Sequence, residues 1–121
     1  MYDHITIRVK NFARSRAFYE SALAPLGYKL MDSGGTSAGF GNAGKTQLWI
    51  EEGTPVSAGL HVAFASPSHK GVQAFHAAAL KNGGRDNGGP GLRESYSPTY
   101  YAAFAHDPDG NNIEAVCHGE R

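Results

Sequence analysis

The chain has 121 residues and is 40% apolar, enough for one domain with a modest core, and this excludes a disordered composition. Lys+Arg and Asp+Glu both number 11, so no basic excess points to nucleic acid or an anionic membrane. One cysteine, Cys117, permits no intrachain disulfide. With no signal-peptide pattern and no membrane-length apolar run, a cytoplasmic location is expected.

Tyr2 to Val9 alternates, with Ile5, Ile7 and Val9 on one side and His4, Thr6 and Arg8 on the other, so a half-buried strand is predicted. Asn11 is a helix cap, and Phe12, Phe18, Tyr19, Ala22 and Leu23 recur at helical spacing. The spacing predicts a helix from about Phe12 to Ala24, stopped by Pro25 and Gly27. Strands follow at Tyr28–Ser33, Thr36–Gly41 and Thr46–Glu52, with glycine turns between them.

The second half begins with a strand over Leu60–Ala65, with His61 opposite Leu60, Val62 and Phe64. Ser66-Pro67 is the expected opening of a helix whose face is Val72, Phe75, Ala79 and Leu80 and which ends at Asn82-Gly83-Gly84. Asn87 to Leu92 reads as a glycine-rich loop. Strands at Tyr100–Ala105 and Asn112–His118 flank the turn Asp107-Pro108-Asp109-Gly110.

The halves match without gaps at an offset of 57, from His4 to His61, Phe18 to Phe75, Leu23 to Leu80 and Gly27 to Gly84. The repeat predicts an α+β fold of two βαβββ modules, at about 1–54 and 58–121, forming curved mixed sheets around a cleft. His4 and His61 fall on the faces turned away from the helices. In the last strand, Ile113 and Ala115 take the helix side, so Glu114 takes the cleft side. Two imidazoles and a carboxylate are a donor set for a divalent metal with open positions.

Two motif matches fail on context. Gly39 to Thr46 spells a phosphate loop, but the residues after it read as a strand, and Pro55 follows before any helix. Asp107-x-Asp109-Gly110 has its glycine too early for a calcium loop. His69, His76 and His118 read as solvated or structural; the face of His106 is left open.

The opening Asp3-His4-Ile5-Thr6-Ile7-Arg8-Val9, the helix piece Phe18-Tyr19-Glu20-x-x-Leu23, the exit Leu26-Gly27-Tyr28 and the run Asp107 to Glu114 resemble the vicinal oxygen chelate superfamily of glyoxalases, bleomycin resistance proteins and dioxygenases. The resemblance covers essentially the whole chain. It implies a divalent metal (Zn, Ni, Mn or Fe) held from four strands by His4, a residue of the fourth strand, His61 and Glu114. At the fourth-strand position stands Trp49, which cannot ligate a metal. Gln47 and Glu51 share its parity as substitutes. The implied activity is a glyoxalase- or dioxygenase-like metalloenzyme acting on a small oxygen-rich substrate, with Glu51 a candidate proton carrier. Arg8, Gln47, Trp49, Tyr100 and Tyr101 are candidate substrate-binding residues. The alternative is a non-catalytic module that binds a small molecule, with a vestigial metal site. A homodimer is the family expectation, and the sequence leaves open whether the cleft forms within one chain or between two.

Overall fold

Parallel strands joined through a helix need a crossover, and each half of the chain supplies one. In the computed structural model, which describes residues 1–119, the first module is β1 (Ile5–Val9), α1 (Phe12–Leu23), β2 (Lys29–Gly34), β3 (Ser37–Asn42) and β4 (Lys45–Glu52). The second is β5 (His61–Ala65), α2 (His69–Lys81), β6 (Arg85–Leu92), β7 (Tyr101–His106) and β8 (Asn112–Cys117). Two four-stranded mixed sheets result, ordered β1-β4-β3-β2 and β5-β8-β7-β6. In each, the first strand lies parallel to the last and forms an edge.

The two registers repeat one another. Thr6 pairs with Trp49 and Ile7 with Ile50, while Ala63 pairs with Glu114 and Phe64 with Ala115. Thr6 and Ala63 are equivalent by the repeat, so Trp49 and Glu114 are equivalent too. The alignment of those two residues drawn from sequence is therefore the alignment of the folded strands.

Local signals account for the helix boundaries, with one correction. The Asn11 side chain accepts from the Arg14 amide at 3.1 Å, as a cap should. After α1 the chain tightens into a 3-10 turn at Ala24–Leu26, and Gly27 takes the left-handed conformation (φ 93°) that ends it. The cap of α2 is Ser68, not Ser66: the Ser68 hydroxyl accepts from the Gly71 amide at 3.0 Å. Ser66 is occupied elsewhere. Its amide donates to Val116 O and its hydroxyl to Ser68 O, so it ties off the strand end. Gly84, the repeat partner of Gly27, has a different reason to be glycine. A Cβ there would lie 2.6 Å from the Phe18 ring and 2.7 Å from Ala79 O.

A second correction concerns the glycine-rich segment. Residues 87–92, expected as a loop, belong to strand β6, which pairs with β7 through two register shifts. Bulges of this kind let a segment of poor strand propensity join a ladder that its partner already specifies. The Gly39–Thr46 segment spans the β3–β4 hairpin, in keeping with its rejection as a phosphate loop.

One buried cluster draws on both modules. It includes Ile7, Val9, Phe18, Tyr19, Phe40 and Ile50 from the first and Val72, Phe75, Ala103, Ile113 and Ala115 from the second. Each large member contributes roughly 1.5–3 kcal/mol through burial. Phe18 and Tyr19 meet edge-on at 4.9 Å. The turn after β7 is a structural knot between the modules. Asp107 accepts from Tyr19 Oη at 2.5 Å and from the amides of Asp109 and Asn111, and Asn111 in turn donates to Ser57 O and accepts from the Leu60 amide. No helix among the described residues is long and apolar enough to cross a membrane.

Candidate functional site

Because the apolar faces of both sheets feed the shared core, the alternate residues of each strand lie on the opposite faces. On the second sheet that face carries a compact polar group. Glu114 stands in the middle of β8 and is 1% exposed, and its Oε1 lies 2.7 Å from Nε2 of His61 at the start of β5. Its Oε2 accepts a short hydrogen bond from the Tyr100 hydroxyl. His61 is 54% exposed, so the group is a buried carboxylate with an imidazole reaching outward. Burial, and next the Glu114 carboxylate, push the Tyr100 phenol up to about 12. Phe104 faces Glu114 in register from β7, and the Arg93 guanidinium lies 5.3 Å over its ring.

The corresponding face of the first sheet is built differently. Trp49 pairs with Gly39 of β3, and a Cβ on Gly39 would meet the indole at 3.0 Å. The ring therefore lies across β3 where the second sheet holds its carboxylate. Arg8 and Glu51 pair across β1 and β4, Nε to Oε2 3.7 Å, with both side chains about half exposed. A pair this exposed is worth at most about 1 kcal/mol, so either member is free to engage a ligand.

The structure brings His61 and Glu114 together, but His4 does not join them. The His4 Nδ1 lies 2.7 Å from Asp3 Oδ1, and that contact is the first cause holding the Asp3 carboxyl below its ordinary value. His4, Gln47 and His61 nevertheless line one cavity of about 520 Å³ between β1 and β5, whose walls include Ile5, Leu48, Val62 and Phe64. Tyr101 lies on the helix side of its strand. It stacks on the His69 ring at 3.8 Å and accepts from Gln73 Nε2 at 2.9 Å, away from Glu114. Among the remaining histidines, His76 pairs with Asp86, His106 Nδ1 contacts Gly110 O, and His118 packs edge-on against Tyr100.

For a divalent ion, the imidazole of His61 and the carboxylate of Glu114 are suitable donors, already adjacent. They are two, and such ions take three or more protein donors. Among the described residues no group of three or more His, Cys, Asp or Glu is placed to hold a metal. Neither the contact of Tyr100 with Glu114 nor Phe104 was singled out from the sequence; strand parity could have found Phe104, which opposes Glu114 in register.

The family model for the Glyoxalase/Bleomycin resistance protein/Dioxygenase superfamily matches residues 2–115. A glyoxalase/bleomycin resistance protein from Albidiferax ferrireducens T118 is similar at 30% identity and a TM-score of 0.86, over 97% of this chain and 98% of that one. A glyoxalase I variant from Zea mays is 27% identical with a TM-score of 0.71, over 95% of this chain but 45% of its own. A fosfomycin resistance protein from Listeria monocytogenes shares the fold at 20% identity and a TM-score of 0.70, over 97% of this chain and 92% of that one. No curated protein matches. The repeat, the sheet topology and the family match agree, and the chain belongs to the Glyoxalase/Bleomycin resistance protein/Dioxygenase superfamily.

Proposed function

We propose that the chain is a divalent-metal enzyme for a small oxygen-rich molecule, acting as a homodimer in which His61 and Glu114 of one copy and His4 of the other hold the ion. The observation that carries this reading is the His61–Glu114 pair, two adjacent donors on a sheet face turned away from the core. β5, which begins at His61, and β1, which His4 immediately precedes, are both sheet edges, although Ser57 already takes the Arg8 amide and carbonyl on β1. Zn, Ni, Mn and Fe all suit imidazole and carboxylate donors, and when bound such an ion polarises two neighbouring substrate oxygens as a Lewis acid. In this reading Trp49 and Gln47 shape the pocket and Arg8 neutralises an anionic group. Glu51 accepts or returns a proton once substrate has drawn Arg8 away. Tyr101 remains a candidate for substrate only through movement of its ring off His69.

The test is metal analysis of the purified protein after loading with Zn, Ni, Mn or Fe in turn. Wild type is expected to retain one ion per chain, and His61→Ala and Glu114→Gln to retain at least tenfold less. Wild type that binds none of the four metals, with its fold intact, sinks the metalloenzyme reading.

One observation favours a second reading, a small-molecule binding module. Both oxygens of Glu114 already have partners within the chain, so the carboxylate is satisfied without an ion. That reading predicts quenching of Trp49 fluorescence by ligands in the presence of chelator. Metal-dependent turnover would overturn it.

A further inference from the structure

The two oxygens of Glu114 are not equivalent. Oε1 is shared with His61, and Oε2 is engaged by the Tyr100 hydroxyl. We infer that Tyr100 is a positioning residue, which locks the Glu114 carboxylate so that Oε1 alone is presented on the face shared with His61. This rests on the reading of His61 and Glu114 as donors.

Tyr100 is itself held firmly. Its carbonyl accepts from the Arg93 amide at 2.7 Å and its amide donates to Ser97 O. Its ring sits between those of Tyr96, at 5.0 Å, and His118, at 5.1 Å, both edge-on. Arg93 closes the far end of the same segment by donating to Gly89 O and Gly91 O. The segment from Arg93 to Tyr100 is thus tied at both ends by hydrogen bonds, with the phenol at its tip. A carboxylate held by one oxygen cannot rotate about its last torsion. It is therefore a single-oxygen donor with a fixed direction, whereas an unheld one could turn away from His61 or chelate through both oxygens. Groups in this outer position commonly set metal affinity by ten- to a hundredfold. In the first module the equivalent strand position is Trp49, so this device belongs to one half of the repeat only.

The experiment compares wild type, Tyr100→Phe and Tyr96→Phe. Tyr96 touches the Tyr100 ring, so its variant preserves the bond to Glu114. In the metal-free protein, the ring 15N chemical shifts of His61 are read by NMR. In a cobalt(II) titration, the affinity and the visible absorption bands are read. Tyr100→Phe is expected to move the His61 shifts, to weaken cobalt binding ten- to a hundredfold and to change the bands. Tyr96→Phe is expected to match wild type in all three. Unchanged His61 shifts in a folded Tyr100→Phe overturn the positioning role, and so does cobalt binding equal to wild type with the same bands. If wild type binds no cobalt, the metal reading fails separately, and the metal-free shifts still decide whether Tyr100 fixes Glu114.

Discussion

The Tyr19 phenol is fully buried and donates to Asp107 Oδ2 at the turn that joins the two modules. Burial first, and the Asp107 carboxylate second, raise it well above the ordinary phenol value of 10.0. The sign of the pH effect follows. Below pH 10.0 the phenol is protonated in both folded and unfolded chains, and the contribution of Tyr19 is fully present. Above it, the unfolded chain ionises while the folded one resists, so stability falls as pH rises toward the folded value. Tyr19→Phe is expected to lower stability by about 1–3 kcal/mol at pH 7, because buried acceptor capacity on Asp107 loses its donor. It is also expected to flatten the alkaline loss. Tyr28 and Tyr100 are raised too, so some slope remains. Thermal melts from pH 7 to 11 read both effects, and parallel alkaline profiles for the two proteins would assign the loss to other groups.

At the scale of elements, strand β3 tests how tightly glycine is required. A Cβ on Gly41 would lie 1.9 Å from Lys45 O, a backbone atom of the adjoining hairpin strand. One on Gly39 would meet Thr46 Cγ2 at 2.5 Å and the Trp49 ring at 3.0 Å, all side-chain atoms. Side chains can move and a paired backbone cannot. Gly39→Ala should therefore cost about 1–3 kcal/mol and shift Trp49 emission as the indole is displaced, while Gly41→Ala should cost more. Denaturant unfolding of the two variants gives the order, and the reverse order would contradict this packing. The same contrast explains what the sequence could reveal. The period-two strands β1, β4 and β5 were legible because one face of each is more buried than the other, and in β8 the parity of Ile113 and Ala115 put Glu114 on the face of His61. β6 was not, because Arg85 to Leu92 contains three glycines and a proline and owes its strand state to pairing with β7. Ser66 and Ser68 both fit a cap by residue type, and only the demand of the strand end on Ser66 decides between them. Tyr100 was read only as a candidate for substrate; its bond to Glu114 was missed because that reach depends on the path of residues 93–100, which no periodicity encodes.

At the scale of the molecule, the number of chains that build one site is a testable property. The repeat makes His4 and His61 equivalent, yet in one chain each is bonded to its own carboxylate, Asp3 and Glu114. The modules meet through a common core and through the Tyr19, Asp107 and Asn111 knot, and among the described residues no strand of one sheet pairs with a strand of the other. β1 and β5 are sheet edges, with the Arg8 backbone of β1 already held by Ser57, and a two-fold that set β1 of one copy beside β5 of the other would do so twice. Subunit mixing separates the arrangements. His4→Ala and His61→Ala homodimers should each bind metal poorly. In a mixed dimer, the His61→Ala copy supplies His4, and the His4→Ala copy supplies His61 and Glu114. One of the two sites is then complete, so the isolated mixed dimer should bind half the wild-type stoichiometry, and an equal mixture after random exchange about a quarter. If instead both histidines close over the cavity they share within one chain, every site in the mixture lacks a donor and mixing restores nothing. Metal content and oligomeric state measured on the mixed species discriminate directly, and a monomer that binds one ion would place the whole site in a single chain.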